Sequence, residues 1–181
     1  MDAFILLKQK PGFEDVNLVL TGGSTGDDKK LLSDIRHRIR EHGLHQQVEF
    51  HEDFEEQGLR DYLEKVSVVS VPVRNGEAFG IYLLECMVSG IPVVQPALGA
   101  FPEIVELTGG GVIYQENTPE ALAQSLEKLL SDPEEMDRLS RTGKEGVDKH
   151  FHIDVQAERM IKVYEQAIEA QTKRKAKIET I

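Results

Sequence analysis

One segment, Val66 to Val94, restricts the fold of this chain more than any other. Residues Val66 to Val73 hold five valines in eight positions, an apolar run that reads as a buried strand. The run passes into a loop, Arg74-Asn-Gly-Glu-Ala-Phe-Gly80, and the loop opens an apolar helix holding Leu83, Leu84, Met87 and Val88. A strand that turns through glycine into a helix leaves the first backbone N–H groups of that helix without partners. Such groups hold phosphate. Two carboxylates flank the turn, Glu77 in the loop and Glu85 about one turn inside the helix. They can be a loop charge and a surface charge, but on so apolar a helix Glu85 calls for a hydrogen-bonding partner, and the binding reading is favoured.

A ligand with a phosphate between two hydroxyl-rich parts suits this arrangement. Its hydroxyls would donate to the carboxylates, and its phosphate oxygens would accept from the backbone. A nucleotide-sugar is built that way.

Around this segment, strands and helices alternate. Leu18 to Leu20, Val48 to Phe50, Pro92 to Val94 and Gly111 to Tyr114 read as further strands. The apolar stripe of Leu31, Leu32, Ile35 and Ile39, and that of Leu59, Tyr62, Leu63 and Val66, mark helices between them. Thr118-Pro119-Glu120 and Asp132-Pro133-Glu134 each place a capping side chain, a first-turn proline and a first-turn acid in order. A last helix carries Ala157, Met160, Ile161, Tyr164 and Ile168. The pattern predicts one α/β domain over residues 1–170, a Rossmann-like doubly wound parallel sheet, and a polar, basic tail over 171–181.

Composition narrows the function classes. The net charge of −11 argues against nucleic acid as a partner. No apolar run reaches the length of a membrane span. With Cys86 the sole cysteine, no internal disulfide can form, and a reducing cytoplasm is the expected setting. Lys173 to Lys177 concentrates positive charge, read foremost as a solvated helix end and secondarily as a peripheral contact with an anionic membrane surface. The pairs His150/His152 and His42/His45 lack a third ligand, so no metal site is expected, and no Ser-His-Asp or Cys-His set stands out.

The residues Glu77-Ala-Phe-Gly80 followed by Glu85-Cys-Met-Val-Ser-Gly-Ile-Pro-Val-Val94 resemble the E-x7-E signature of the retaining glycosyltransferases of the GT-B fold, family 4. The likeness continues through Gly99-Ala-Phe-Pro-Glu-Ile-Val105 and back to Leu18-Val-Leu-Thr-Gly-Gly23, and it covers roughly residues 2–165. It implies the C-terminal, donor-binding domain of a hexosyltransferase-like enzyme that moves a sugar from a nucleoside diphosphate-sugar to an acceptor hydroxyl, with no further cofactor. By resemblance Glu77 meets the donor sugar as the catalytic carboxylate, and Glu85 accepts from the ribose. Gly80, Ile81 and Tyr82 offer N–H groups to the diphosphate. Phe79, Gly22, Gly23, Gly99 and Glu103 border the donor, although Ala100 replaces the second glycine usual in the family, and a plain turn competes at Gly99.

Aligned this way, Asp2 to Lys10 corresponds to the first helix of the family's donor domain and Leu18 to Gly23 to its second strand. The first strand, with the Arg and Lys that grip the diphosphate, has no counterpart, nor has the N-terminal acceptor domain. In the strand order 3-2-1-4-5-6 that strand is central. The gap is expected to close by direct pairing of the Leu18 and Val66 strands, by another copy of the chain, or by residues upstream. Two other classes compete with an enzyme half: a non-catalytic nucleotide-sugar-binding or protein-interaction module, and, less favoured, a sugar-nucleotide epimerase of the same fold.

Overall fold

A computed structural model describes residues 1–22, 26–51 and 56–179. In chain order the elements are α1 (Asp2–Lys8), β1 (Leu18–Thr21), α2 (Lys29–Glu41), β2 (Val48–His51), α3 (Glu56–Lys65), α4 (Ile81–Val88), β3 (Val93–Pro96), α5 (Phe101–Thr108), β4 (Gly111–Tyr114), α6 (Pro119–Leu130), α7 (Pro133–Phe151) and α8 (Ile153–Glu179). The four strands form two parallel pairs. β1 runs beside β2 with Leu18 opposite Val48, and β3 runs beside β4 with Val93 opposite Gly111.

Helices cover both faces of these pairs, as alternating β-branched strands require. On one face Val69, Val93 and Val19 pack with Tyr62, Leu83, Met87, Phe101 and Val147. On the other, Val94 and Tyr114 pack with Leu122, Leu129 and Leu139. There α1 bridges the two halves, setting Ala3 against Val94 and its neighbours while Phe4 and Ile5 join Leu18, Val48 and Ile39. An Arg38–Asp2 ion pair fastens its start to α2.

The capping signals hold. Thr118 Oγ1 accepts from the Ala121 N–H at 3.2 Å and Asp132 Oδ1 from the Glu135 N–H at 3.0 Å. Thr118→Ala leaves one N–H at the start of α6 unpaired, and should lower stability by about 1 kcal/mol in chemical denaturation.

Two expectations need correction. The Val66–Val73 run does not form a full strand; it joins β3 through a single bridge, Val69 to Val93. Beyond that point side chains replace the ladder. The Val71 N–H donates to Gln95 Oε1 at 3.1 Å, Asn117 Nδ2 donates to the Val73 carbonyl at 2.8 Å, and Pro72 has no N–H to offer. Direct pairing of this run with β1 does not occur either, so the sheet stays split into halves.

At the C-terminus α8 runs as helix up to Glu179. Met160, Ile161, Tyr164 and Ile168 along it are exposed and do not contribute to the core.

Candidate functional site

The site is assembled where the 74–80 loop meets α4. Gly80, at φ +82°, turns the chain left-handed into the helix, a conformation in which a side chain is strained. No side chain caps α4, and its first turn holds no acid. Among the described residues nothing accepts from the Ile81 and Tyr82 N–H groups, so the positive end of the helix dipole faces outward. Beneath this turn lies the fully buried Phe101; a Cβ on Gly80 would come within 3.2 Å of its ring.

Gly99 holds the Glu77 loop in place. The Ala100 N–H donates to the Glu77 carbonyl at 3.0 Å, and Gly99, at φ +56°, lies so close that any side chain would collide with the Glu77 backbone. The Glu77 carboxylate turns onto its own loop, with Oε1 accepting from the Ala78 N–H at 2.9 Å. Its remaining lone pairs are available to a ligand.

Glu85 is exposed, so the sequence argument that burial demands a partner for it does not apply. Glu85 lines an open cavity of about 640 Å³ between the half-sheets, together with Gly22, Tyr82 and Cys86. Glu77, Phe79 and Gly99 are not part of that wall. Phe79 is exposed, and its ring meets Phe151 edge-on at 6.1 Å. Glu103 is exposed in the first turn of α5, and Arg74 is exposed as well. Gly22 ends β1 beside the cavity; Gly23 lies outside the described residues.

The sequence reading missed two residues, Gln95 and Asn117, whose side chains pin the extended run that feeds the loop. Gln95 carried a signal, a polar residue inside the apolar run Val93-Val-Gln-Pro96, and it is fully buried. Asn117 sits in an exposed turn and carried none.

Several buried groups near the site resist ionisation. Burial pushes the Cys86 thiol up to about 12, with the neighbouring Glu85 charge adding to it. The Tyr82 phenol is also raised to about 12, by burial first and then by Glu77 and Cys86. Burial raises Tyr62 and Tyr114 likewise to about 12. Cys86 is therefore a packing residue and not a nucleophile at neutral pH. In each case the folded chain retains a proton that the unfolded chain loses near pH 9 or 10. Their contribution is full below pH 9 and is lost as pH climbs toward 12, so denaturation midpoints should fall steadily over that interval.

Comparison with known proteins places the chain in a family. Residues 1–146 match the family "Glycosyl transferases group 1". The chain is 30% identical over 165 residues to the phosphatidyl-myo-inositol mannosyltransferase of Mycobacterium leprae, an alignment that covers 89% of this chain and 42% of that protein. The crystal structure of Anabaena HepE in complex with UDP superimposes with a TM-score of 0.79 at 18% identity, over 91% of this chain and 44% of that one. The C-terminal domain of the group 1 glycosyl transferase LpcC from Francisella tularensis superimposes with a TM-score of 0.73 at 23% identity, covering 84% of this chain and 77% of that domain.

An α/β chain whose glycine-turned helix start stands between two glutamates, with these matches, belongs to the group 1 glycosyl transferase family. It has the fold of the C-terminal domains of GT-B glycosyltransferases and spans 42% of the length of the mannosyltransferase.

Among the described residues no helix is long and apolar enough to cross a membrane.

Proposed function

We propose that this chain is the donor-binding part of a retaining glycosyltransferase that carries a sugar from a nucleoside diphosphate-sugar to an acceptor hydroxyl. The observation that carries this reading is the uncapped start of α4, flanked by Glu77 and Glu85, in a member of the group 1 family. The UDP held by the HepE structure supports a nucleotide ligand.

In this reading Glu85 accepts from the ribose hydroxyls and Glu77 from hydroxyls of the donor sugar. The N–H groups of Gly80, Ile81 and Tyr82 take up charge that grows on the leaving diphosphate, and Gly22, Gly23, Phe79, Gly99 and Glu103 border the donor. Fixed backbone dipoles aimed at developing charge stabilise a transition state without having to reorganise as it forms. The single buried cysteine suits a reducing cytoplasm.

Titration with UDP-, GDP- and ADP-sugars tests the assignment. At least one should bind, and Glu85→Ala should weaken it about ten- to a hundred-fold, since bonds to a charged carboxylate are lost. Unchanged affinity in that variant would remove Glu85 from the ribose site.

Transfer needs an acceptor held against the anomeric carbon, and proximity of that kind comes from a second domain. Hence the 181-residue chain alone should give no turnover with added acceptors, monitored by release of nucleoside diphosphate. Turnover by the purified chain would contradict the assignment to a donor half. Failure of every donor to bind, even to a longer parent protein, would instead favour an interaction module.

A further inference from the structure

The phenol of Tyr82 joins the two parts of the site. Tyr82, Glu85 and Cys86 stand three and four positions apart on α4, share one face of the helix and line the cavity between the half-sheets. The Tyr82 ring also folds back toward the start of the helix. Its Cζ, the atom that bears the hydroxyl, lies 3.4 Å from the point a Cβ on Gly80 would occupy, and Glu77 Cγ lies 3.2 Å from the same point. The hydroxyl end of Tyr82 and the stem of Glu77 are therefore neighbours, although Glu77 itself is not part of the cavity wall. Among the described residues the buried Tyr82 hydroxyl has no hydrogen-bond partner. A buried phenol normally has one.

The chemistry of a sugar hydroxyl supplies the partner. Such a group donates one hydrogen bond and accepts others, whereas the Glu77 carboxylate can only accept, so Glu77 alone leaves the hydroxyl's lone pairs unmatched. Burial and the nearby Glu77 charge keep the Tyr82 phenol protonated, a donor at neutral pH. We propose that Tyr82 donates to the same donor-sugar hydroxyl that donates to Glu77, which makes it a specificity-determining residue for the sugar; this rests on the assignment of Glu77 to the sugar above. The Tyr82 side chain then reads the sugar while its backbone N–H serves the diphosphate. An unpaired donor beside an unpaired carboxylate penalises a sugar that lacks the hydroxyl.

Tyr82→Phe keeps the ring and the backbone N–H and removes only the hydroxyl. The 181-residue chain and this variant are titrated with UDP-glucose, GDP-mannose and ADP-glucose, each beside free UDP, GDP or ADP. The variant should bind at least one nucleotide-sugar about three- to tenfold more weakly and the matching free nucleotide within about twofold of the parent. Its melting temperature should not fall, because the hydroxyl has no partner in the protein to lose. Combined with Glu77→Gln, the two losses of affinity should fall short of additive, since both residues hold one group. Equal weakening of sugar and free nucleotide, no weakening, a lower melting temperature or fully additive losses would each overturn the inference while leaving the donor site in place. Failure of every nucleotide and nucleotide-sugar to bind the parent chain would overturn the donor reading and this inference with it.

Discussion

Gly99→Ala should lose about 2–5 kcal/mol of folding stability, and its donor affinity should fall together with it. Two costs combine. A non-glycine residue in the left-handed region costs about 1–2 kcal/mol, and forcing atoms into a packed contact typically costs about 1–3 kcal/mol more. The contact here is with the Glu77 backbone and not with a flexible side chain, so relief requires the whole 76–80 loop to move. That movement carries the Glu77 carboxylate away from the start of α4. Urea denaturation measures the first effect and donor titration the second. A variant with native stability and native affinity would show that Gly99 does not hold the loop.

Phe101→Ala should destabilise the chain by about 3–5 kcal/mol. The ring is fully buried in the larger core and lies directly beneath Gly80, so its removal opens a cavity under the turn that aims the α4 N–H groups. Phe101→Leu fills part of that space and should recover part of the loss. Denaturation curves for the two variants give the stability order. Donor affinity should follow that order if the turn depends on the packing below it.

Most of the architecture was legible because local signals and the global fold agree. The caps at Thr118 and Asp132 and the apolar runs at β1 to β4 each specify the same element that packing then confirms. The Val66–Val73 run was misread because periodicity reports burial and not pairing. An apolar segment that lacks a neighbour on one edge, and carries Pro72, keeps its pattern while losing its ladder. α8 shows the same limit. Met160, Ile161 and Tyr164 have the composition of a buried face, but nothing in a helix sequence states whether that face is covered within the same chain.

At the site, the helix start and its two glutamates were readable from spacing. The reason offered for Glu85 was not sound, because an apolar helix can still direct one residue to an open cavity. Gly99 was read as a residue facing the donor or forming a turn; its contact with Glu77 joins segments more than twenty positions apart, which no local pattern encodes.

The proposed role of the α4 start between Glu77 and Glu85 is to hold the diphosphate of a nucleotide-sugar. Amide chemical-shift mapping of the isotopically labelled chain during titration with UDP-, GDP- and ADP-sugars tests it most directly. At least one donor should shift the amides of Gly80, Ile81 and Tyr82 together, with the Glu85 segment moving at the same concentration and Glu85→Ala requiring more donor for the same change. Shifts confined to other surfaces, or none at the α4 start while donor binds, would contradict it.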